Sequence, residues 1–127
     1  MTARREALAT FFAAVALLAP SAAEASCVPS TPAQQHARAT VVFDGVALEG
    51  PTATGIQRFR VTRYLKGRGP RVVRVATGYF RRADGTGSVT SVSIVAARGQ
   101  KWRIFGRGSP WRVLQTNVCD GSRKLTR

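Results

Sequence analysis

Two residues of this 127-residue chain can form a covalent bond with each other, Cys27 and Cys119, and no other cysteine is present. An even count of two allows one intramolecular pairing, the alternatives being two free thiols or a bridge between chains. The intramolecular bridge is the expected one, and closing so long a loop stabilises a fold by about 4 to 5 kcal/mol on chain-entropy reasoning. His36 is the only histidine. One imidazole without a second cluster of ligands does not make a zinc site, so no metal and no cofactor is expected. Behind residue 25 the carboxylates are Asp44, Glu49, Asp84 and Asp120. Asp84 and Asp120 each precede a glycine, as turn formers do, and nothing marks two of the four as an acid–base pair. No serine has a nucleophile elbow or triad partners. Gly67 and Gly69 lack the strand-to-helix setting of a phosphate-cradling loop and read as turn residues. Together these patterns argue against an enzyme.

Guanidinium chemistry remains. Of the 20 basic residues 17 are arginine, against six acidic ones, for a formal charge of +14. A field of this sign favours anionic partners such as wall polymers, acidic glycans, phospholipid surfaces and nucleic acid, and is silent about fold. Arg58, Arg60, Arg74, Lys101 and Arg103 fall on different expected strands, interleaved with Tyr64, Trp102 and Phe105. They form a candidate anion-binding face; the alternative is a solvated exterior on which arginine stems cover apolar surface. Trp102 and Trp111, at alternating strand positions, are expected to pack inside.

The first 25 residues set the compartment. Arg4 and Arg5 precede an unbroken apolar run from Ala7 to Ala19, then Pro20 and the small-residue end Ala23-Glu24-Ala25. This is the layout of a secretory signal peptide, too short for a stable span of about 20 apolar residues, with cleavage expected after Ala25. Glu24 stands three before Cys27, where lipidation needs an aliphatic residue. Removing the leader takes away two charges of each sign, so +14 remains on 26–127, a single exported domain in which a disulfide is permitted.

Those 102 residues read as short strands. Thr31-Pro32-Ala33-Gln34 has the cap, first-turn proline and capping-box glutamine of a helix over Pro32 to Arg38. Strands are expected over Thr40–Leu48, with a bend at Gly45, and over Ile56–Leu65. In the latter, Gln57, Phe59, Val61, Arg63 and Leu65 share one face and Arg58, Arg60, Thr62 and Tyr64 the other. Further strands are expected over Arg71–Thr77, Ser88–Ala96, Lys101–Phe105 and, after the Gly108-Ser109-Pro110 breaker, Trp111–Asn117. The tail from Asp120 to Arg127 lacks apolar periodicity and is expected to fray. The pattern predicts an all-β domain: a small OB-fold-like barrel of five or six strands with a short N-terminal helix and one disulfide.

Several segments resemble netrin-like domains, the OB-fold family that includes the N-terminal domain of tissue inhibitors of metalloproteinases. They are Ser26-Cys27 with Pro29, Thr31-Pro32 and Gln34-Gln35; Val41-Val42-Phe43-Asp44-Gly45; Phe59 through Gly67; and Thr116 through Gly121. The resemblance implies a secreted binding module whose N-terminal segment, Ser26, Cys27, Val28 and Pro29, meets a protein partner, with a protease among the candidates. It matches Cys27 and Cys119 to the second disulfide of that family. Its first cysteine, whose amine chelates the protease zinc, corresponds here to Ala25, so the chelating end is missing. The alternative reading is an OB-fold domain that binds an anionic cell-surface polymer.

Overall fold

The computed structural model describes residues 27–88 and 92–125. The expected leader, its cleavage site and Ser26 lie outside the described residues. Helix α1 spans Pro32–Arg38. The Thr31 hydroxyl accepts from the Gln34 amide at 3.1 Å and the Gln34 side chain accepts from the Thr31 amide at 2.9 Å, the reciprocal box anticipated from their spacing. At its other end, the Lys66 ammonium donates to the carbonyls of His36 and Ala37, orphan acceptors of the last turn.

Eight strands follow: β1 (Val41–Ala47), β2 (Ile56–Lys66), β3 (Val72–Ala76), β4 (Phe80–Arg81), β5 (Gly87–Ser88), β6 (Lys101–Gly108), β7 (Val113–Gln115) and β8 (Arg123–Lys124). Five of them close on themselves in the order β1-β2-β3-β7-β6, with β6 returning to β1. β3 and β7 run parallel and the other neighbours antiparallel. Counted along the chain, the barrel order is 1-2-3-5-4-1, which is OB-like, with β8 laid against β6 as an outer strand. β4 and β5 make a separate hairpin, its turn set by the Asp84 carboxylate, which accepts from the Thr86 amide and hydroxyl.

Inward positions of every barrel strand supply the core: Phe43, Phe59, Val73, Val75, Ile104 and Leu114 are fully buried. Each such side chain contributes about 1.5 to 3 kcal/mol relative to leaving it in water. Phe43 is central, its ring edge-on to Phe59 at 6.4 Å and tilted against Tyr64 at 5.9 Å.

Three expectations are corrected. Ser88–Ala96 is not a strand: β5 stops at Ser88, 89–91 lie outside the described residues, and 92–96 joins no ladder. The apolar alternation is real, since Ile94 and Ala96 enter the core and Val95 faces out. What is missing is a ladder partner. The segment is held by isolated bonds, among them Val118 N–H to the Val92 carbonyl, Ile94 N–H to the Thr77 carbonyl and the buried Gln57 amide to the Ala96 carbonyl. The tail does not fray as far as Leu125: Arg123 and Lys124 pair with Arg103 and Trp102, and the Leu125 amide donates to the Lys101 carbonyl. An outer strand held by its backbone needs no apolar periodicity. Finally, the two faces of β2 exchange partway along. Its pairing with β1 shifts register between Asp44 and Gly45, and again between Val42 and Phe43, leaving Thr62 and Leu65 as the extra residues. A one-residue bulge flips the side chains beyond it, so Tyr64 packs against the core while Arg63 and Leu65 face outward.

Candidate anion-binding face

The alternation that buries Phe59, Val73 and Ile104 sends the intervening residues of the same strands outward. Arg58 and Arg60 project from β2, Arg74 from β3, and Lys101 and Arg103 from β6, so the structure places all five on the barrel exterior. Register brings them together. Arg58 stands directly opposite Arg74, and Arg60 opposite Val72. Val46 of β1 separates Arg60 on one side from Lys101 on the other. One level along, Asp44 lies between Arg63 and Arg103, and Arg123 of β8 is opposite Arg103.

Their electrostatic states differ. Arg103 grips Asp44 through Nε at 2.7 Å and Nη2 at 3.0 Å, and Arg63 reaches the second oxygen at 3.4 Å. The Arg103 hydrogen bonds, helped by its charge and by Arg63, hold the Asp44 carboxyl below its ordinary 3.8 against the opposing effect of burial. Asp44 in turn raises Arg103. Arg58 clasps Glu49 by Nε and Nη2, the latter at 3.0 Å, and offers its backbone amide to the same carboxylate at 2.8 Å, which lowers Glu49. Arg58 and Arg103 are thus already committed to carboxylates. Arg60, Arg74 and Lys101 have no carboxylate partner among the described residues.

The expected interleaving with aromatics is corrected. Trp102 and Phe105, each 7% exposed, are both buried, Trp102 in the barrel core and Phe105 in a second cluster with Ala39 and Val42, and Tyr64 turns inward to donate to the Pro70 carbonyl at 2.7 Å. Alternation puts Trp102 on the other side of the sheet from Lys101 and Arg103, while Phe105, on the Arg103 side, is covered by packing with Ala39 and Val42, so the face offers charge and no stacking surface. Trp102 packs as expected. Trp111 does not: it is 67% exposed, in the turn before β7. Arg63 and Arg123 are members of the face that alternation alone misses. The signal for Arg63 was Gly45, which lies beside the register shift and where a Cβ would meet the Arg60 carbonyl at 2.9 Å, the close backbone approach that a glycine within a strand marks.

The expected disulfide is present, Cys27 to Cys119, with Cα atoms 5.3 Å apart. It anchors the N-terminal segment against the single turn of 3-10 helix over Val118–Asp120. Beside it opens a groove of about 370 Å³ lined by Cys27, Val28, Arg38, Val92, Asn117, Cys119 and Asp120. Val28 on its rim is 85% exposed and Pro29 is exposed as well. His36 sits on the solvent side of α1, and among the described residues no three His, Cys, Asp or Glu side chains cluster as metal ligands. No described helix is long and apolar enough to cross a membrane. No family model matches the chain, and no curated protein or solved structure matches it.

Proposed function

We propose that this chain is a non-catalytic, OB-like binding module of the exported, netrin-like kind, and that its ligand is an anionic polymer held on the outer face of β3, β2, β1 and β6. One observation carries the reading. Arg60, Arg74 and Lys101 stand on that face without a carboxylate partner among the described residues, and Arg74 lies directly across from Arg58. Glu49 offsets Arg58, so the charge left uncompensated on this face is that of Arg60, Arg74 and Lys101, which an anionic ligand neutralises when it binds. OB barrels bind polymeric ligands across the faces of their second and third strands. Zinc-chelating protease inhibition is no part of this reading, because a chain beginning at Ser26 presents no N-terminal cysteine amine.

The test is a salt series with polyphosphate as the probe. Counterion release makes affinity fall steeply with salt, and the triple variant Arg60→Ser, Arg74→Ser, Lys101→Ser should bind more weakly with a slope flatter by roughly one unit per lost contact, by analogy with DNA. Salt-independent binding, or an unchanged slope in a variant whose circular dichroism is native, would remove the proposal. A second reading, a protein partner at Cys27, Val28 and Pro29, is favoured by the groove beside the disulfide and the exposure of Val28. A partner captured from culture supernatant that survives high salt, and is lost in Val28→Asp, would select it.

A further inference from the structure

Away from the strand face, the barrel end where β2 turns into β3 and β6 into β7 carries a different surface. The two turns touch: a Cβ on Gly69 would lie 2.6 Å from the Tyr64 hydroxyl and 2.8 Å from the Pro110 Cβ. Pro110 is buried in that contact, and the next residue, Trp111, is 67% exposed. The turn is fixed by the Arg112 amide donating to the Ser109 carbonyl at 3.1 Å and the Trp111 amide to the Ser109 hydroxyl at 3.2 Å. The Trp111 indole is therefore held out in water by a braced turn. Val72 and Leu65, 43% and 38% exposed, belong to the same end. So do the cations Arg68, Arg71 and Arg112, while Lys66 is turned to the α1 carbonyls and residues 64–72 and 106–113 contain no carboxylate and no side-chain amide.

We propose that this end is an interfacial anchor that seats Trp111 in an anionic phospholipid bilayer. An indole on a convex turn, with aliphatic side chains at the same end and cations around it, matches the layering of a membrane surface, where amphipathic aromatics sit at headgroup depth and anionic lipids attract arginine and lysine. A single-stranded nucleic acid is gripped by a charged groove with successive aromatic platforms, and here one indole stands on a convex end. A glycan site needs placed polar groups to fix orientation, and residues 64–72 and 106–113 supply no carboxylate or side-chain amide of their own, the nearby Asp120 carboxylate being engaged by Arg107. The anchor adjoins the strand face, where its Val72 stands opposite Arg60, but its cations are separate, since Arg60, Arg74 and Lys101 are no part of it.

Flotation of the full chain with phosphatidylcholine vesicles, with and without phosphatidylglycerol, tests the anchor. Binding should require phosphatidylglycerol, shift Trp emission to the blue and allow quenching by brominated lipid. Trp111→Ser should keep the native melting temperature and weaken partitioning by about tenfold. Arg68→Ser, Arg71→Ser, Arg112→Ser together should weaken it on the order of 100-fold, whereas the Arg60, Arg74, Lys101 triple variant should still float. Wild-type flotation by Trp111→Ser, an unshifted emission on anionic vesicles, or loss in the strand-face variant alone would overturn the proposal. Quenching by an oligonucleotide or an acidic glycan with none by vesicles would overturn it too.

Discussion

Asp44 shows how one side chain can hold down part of a cationic surface. It is 5% exposed, lies between Arg63 and Arg103, and is the carboxylate that allows β2 and β6 to bring guanidinium groups to the same level of the barrel. Replacing it by asparagine leaves the pair of guanidinium groups without a counter-charge. The loss is expected to be about 1 to 2 kcal/mol at neutral pH, mostly from the Arg103 hydrogen bonds, because Arg63 is two-thirds exposed and solvent screens it. Since folding lowers the Asp44 pKa below 3.8, its contribution is present in full above that ordinary value and is lost as pH falls through the folded one. Urea melts of wild type and Asp44→Asn should therefore differ at pH 7 and converge in acid. A gap that stays constant through the acid range would mean that the carboxylate's charge is not what stabilises. The pairing itself was hidden from the sequence, where uninterrupted alternation from Phe59 buries Arg63; only the bulge opposite Gly45 turns it toward Asp44.

At the scale of elements, the run from β7 to β8 explains both what could be read in advance and what could not. The chain leaves the sheet after Gln115, makes the 3-10 turn that carries Cys119, and rejoins β6 at Arg123. The excursion would orphan the backbone of Phe105. Instead the Thr116 hydroxyl donates to the Phe105 carbonyl at 2.9 Å, the Ser122 hydroxyl accepts from the Phe105 amide at 2.8 Å, and the two hydroxyls meet at 2.6 Å, all buried. Ser122→Ala should thus cost about 1 to 3 kcal/mol by leaving a buried amide unpaired, read as a lowered urea midpoint; an unchanged midpoint would sink the bridging role. Cys119→Ser should lower the melting temperature by about 10 °C or more if the loss approaches ~4 kcal/mol, and two alkylatable thiols in the folded wild-type protein would contradict the bridge. The helix, the disulfide and the inward residues of β3 and β6 were legible because capping boxes, cysteine counts and period-2 burial are local or countable, whereas β1, buried on both faces, shows no such period. β8 was not, since two serine and threonine hydroxyls and a few backbone bonds leave no periodic trace. Trp111 was misplaced because its aromatic size was taken as a sign of burial: β7 begins only at Val113, and with Leu114 inward Trp111 falls on the outward parity.

Over the whole molecule the charge is far from balanced, and the carboxylates available to offset it are already engaged. Asp44, Glu49 and Asp120 are in ion pairs, and Asp84 is occupied by Thr86. No acidic surface remains among the described residues to oppose Arg60, Arg74 and Lys101 on the strands or Arg68, Arg71 and Arg112 at the barrel end. Such an excess loads the folded state with self-repulsion, borne mainly by the cations that no described carboxylate offsets, Arg60, Arg74 and Lys101 on the strands and Arg68, Arg71 and Arg112 at the barrel end. Two opposite salt effects therefore compete. Screening weakens the exposed Arg58–Glu49 and Arg63–Asp44 pairs, each worth little, and it also weakens a larger number of repulsions. The repulsions should win: the melting temperature should rise as sodium chloride goes from about 20 to about 300 mM, a range over which the screening length falls below the separation of most surface charges. A melting temperature that falls over that range would mean that the ion pairs, not the unpaired arginines, dominate the field. In that case the strand face would lack the uncompensated charge from which polymer binding has been argued.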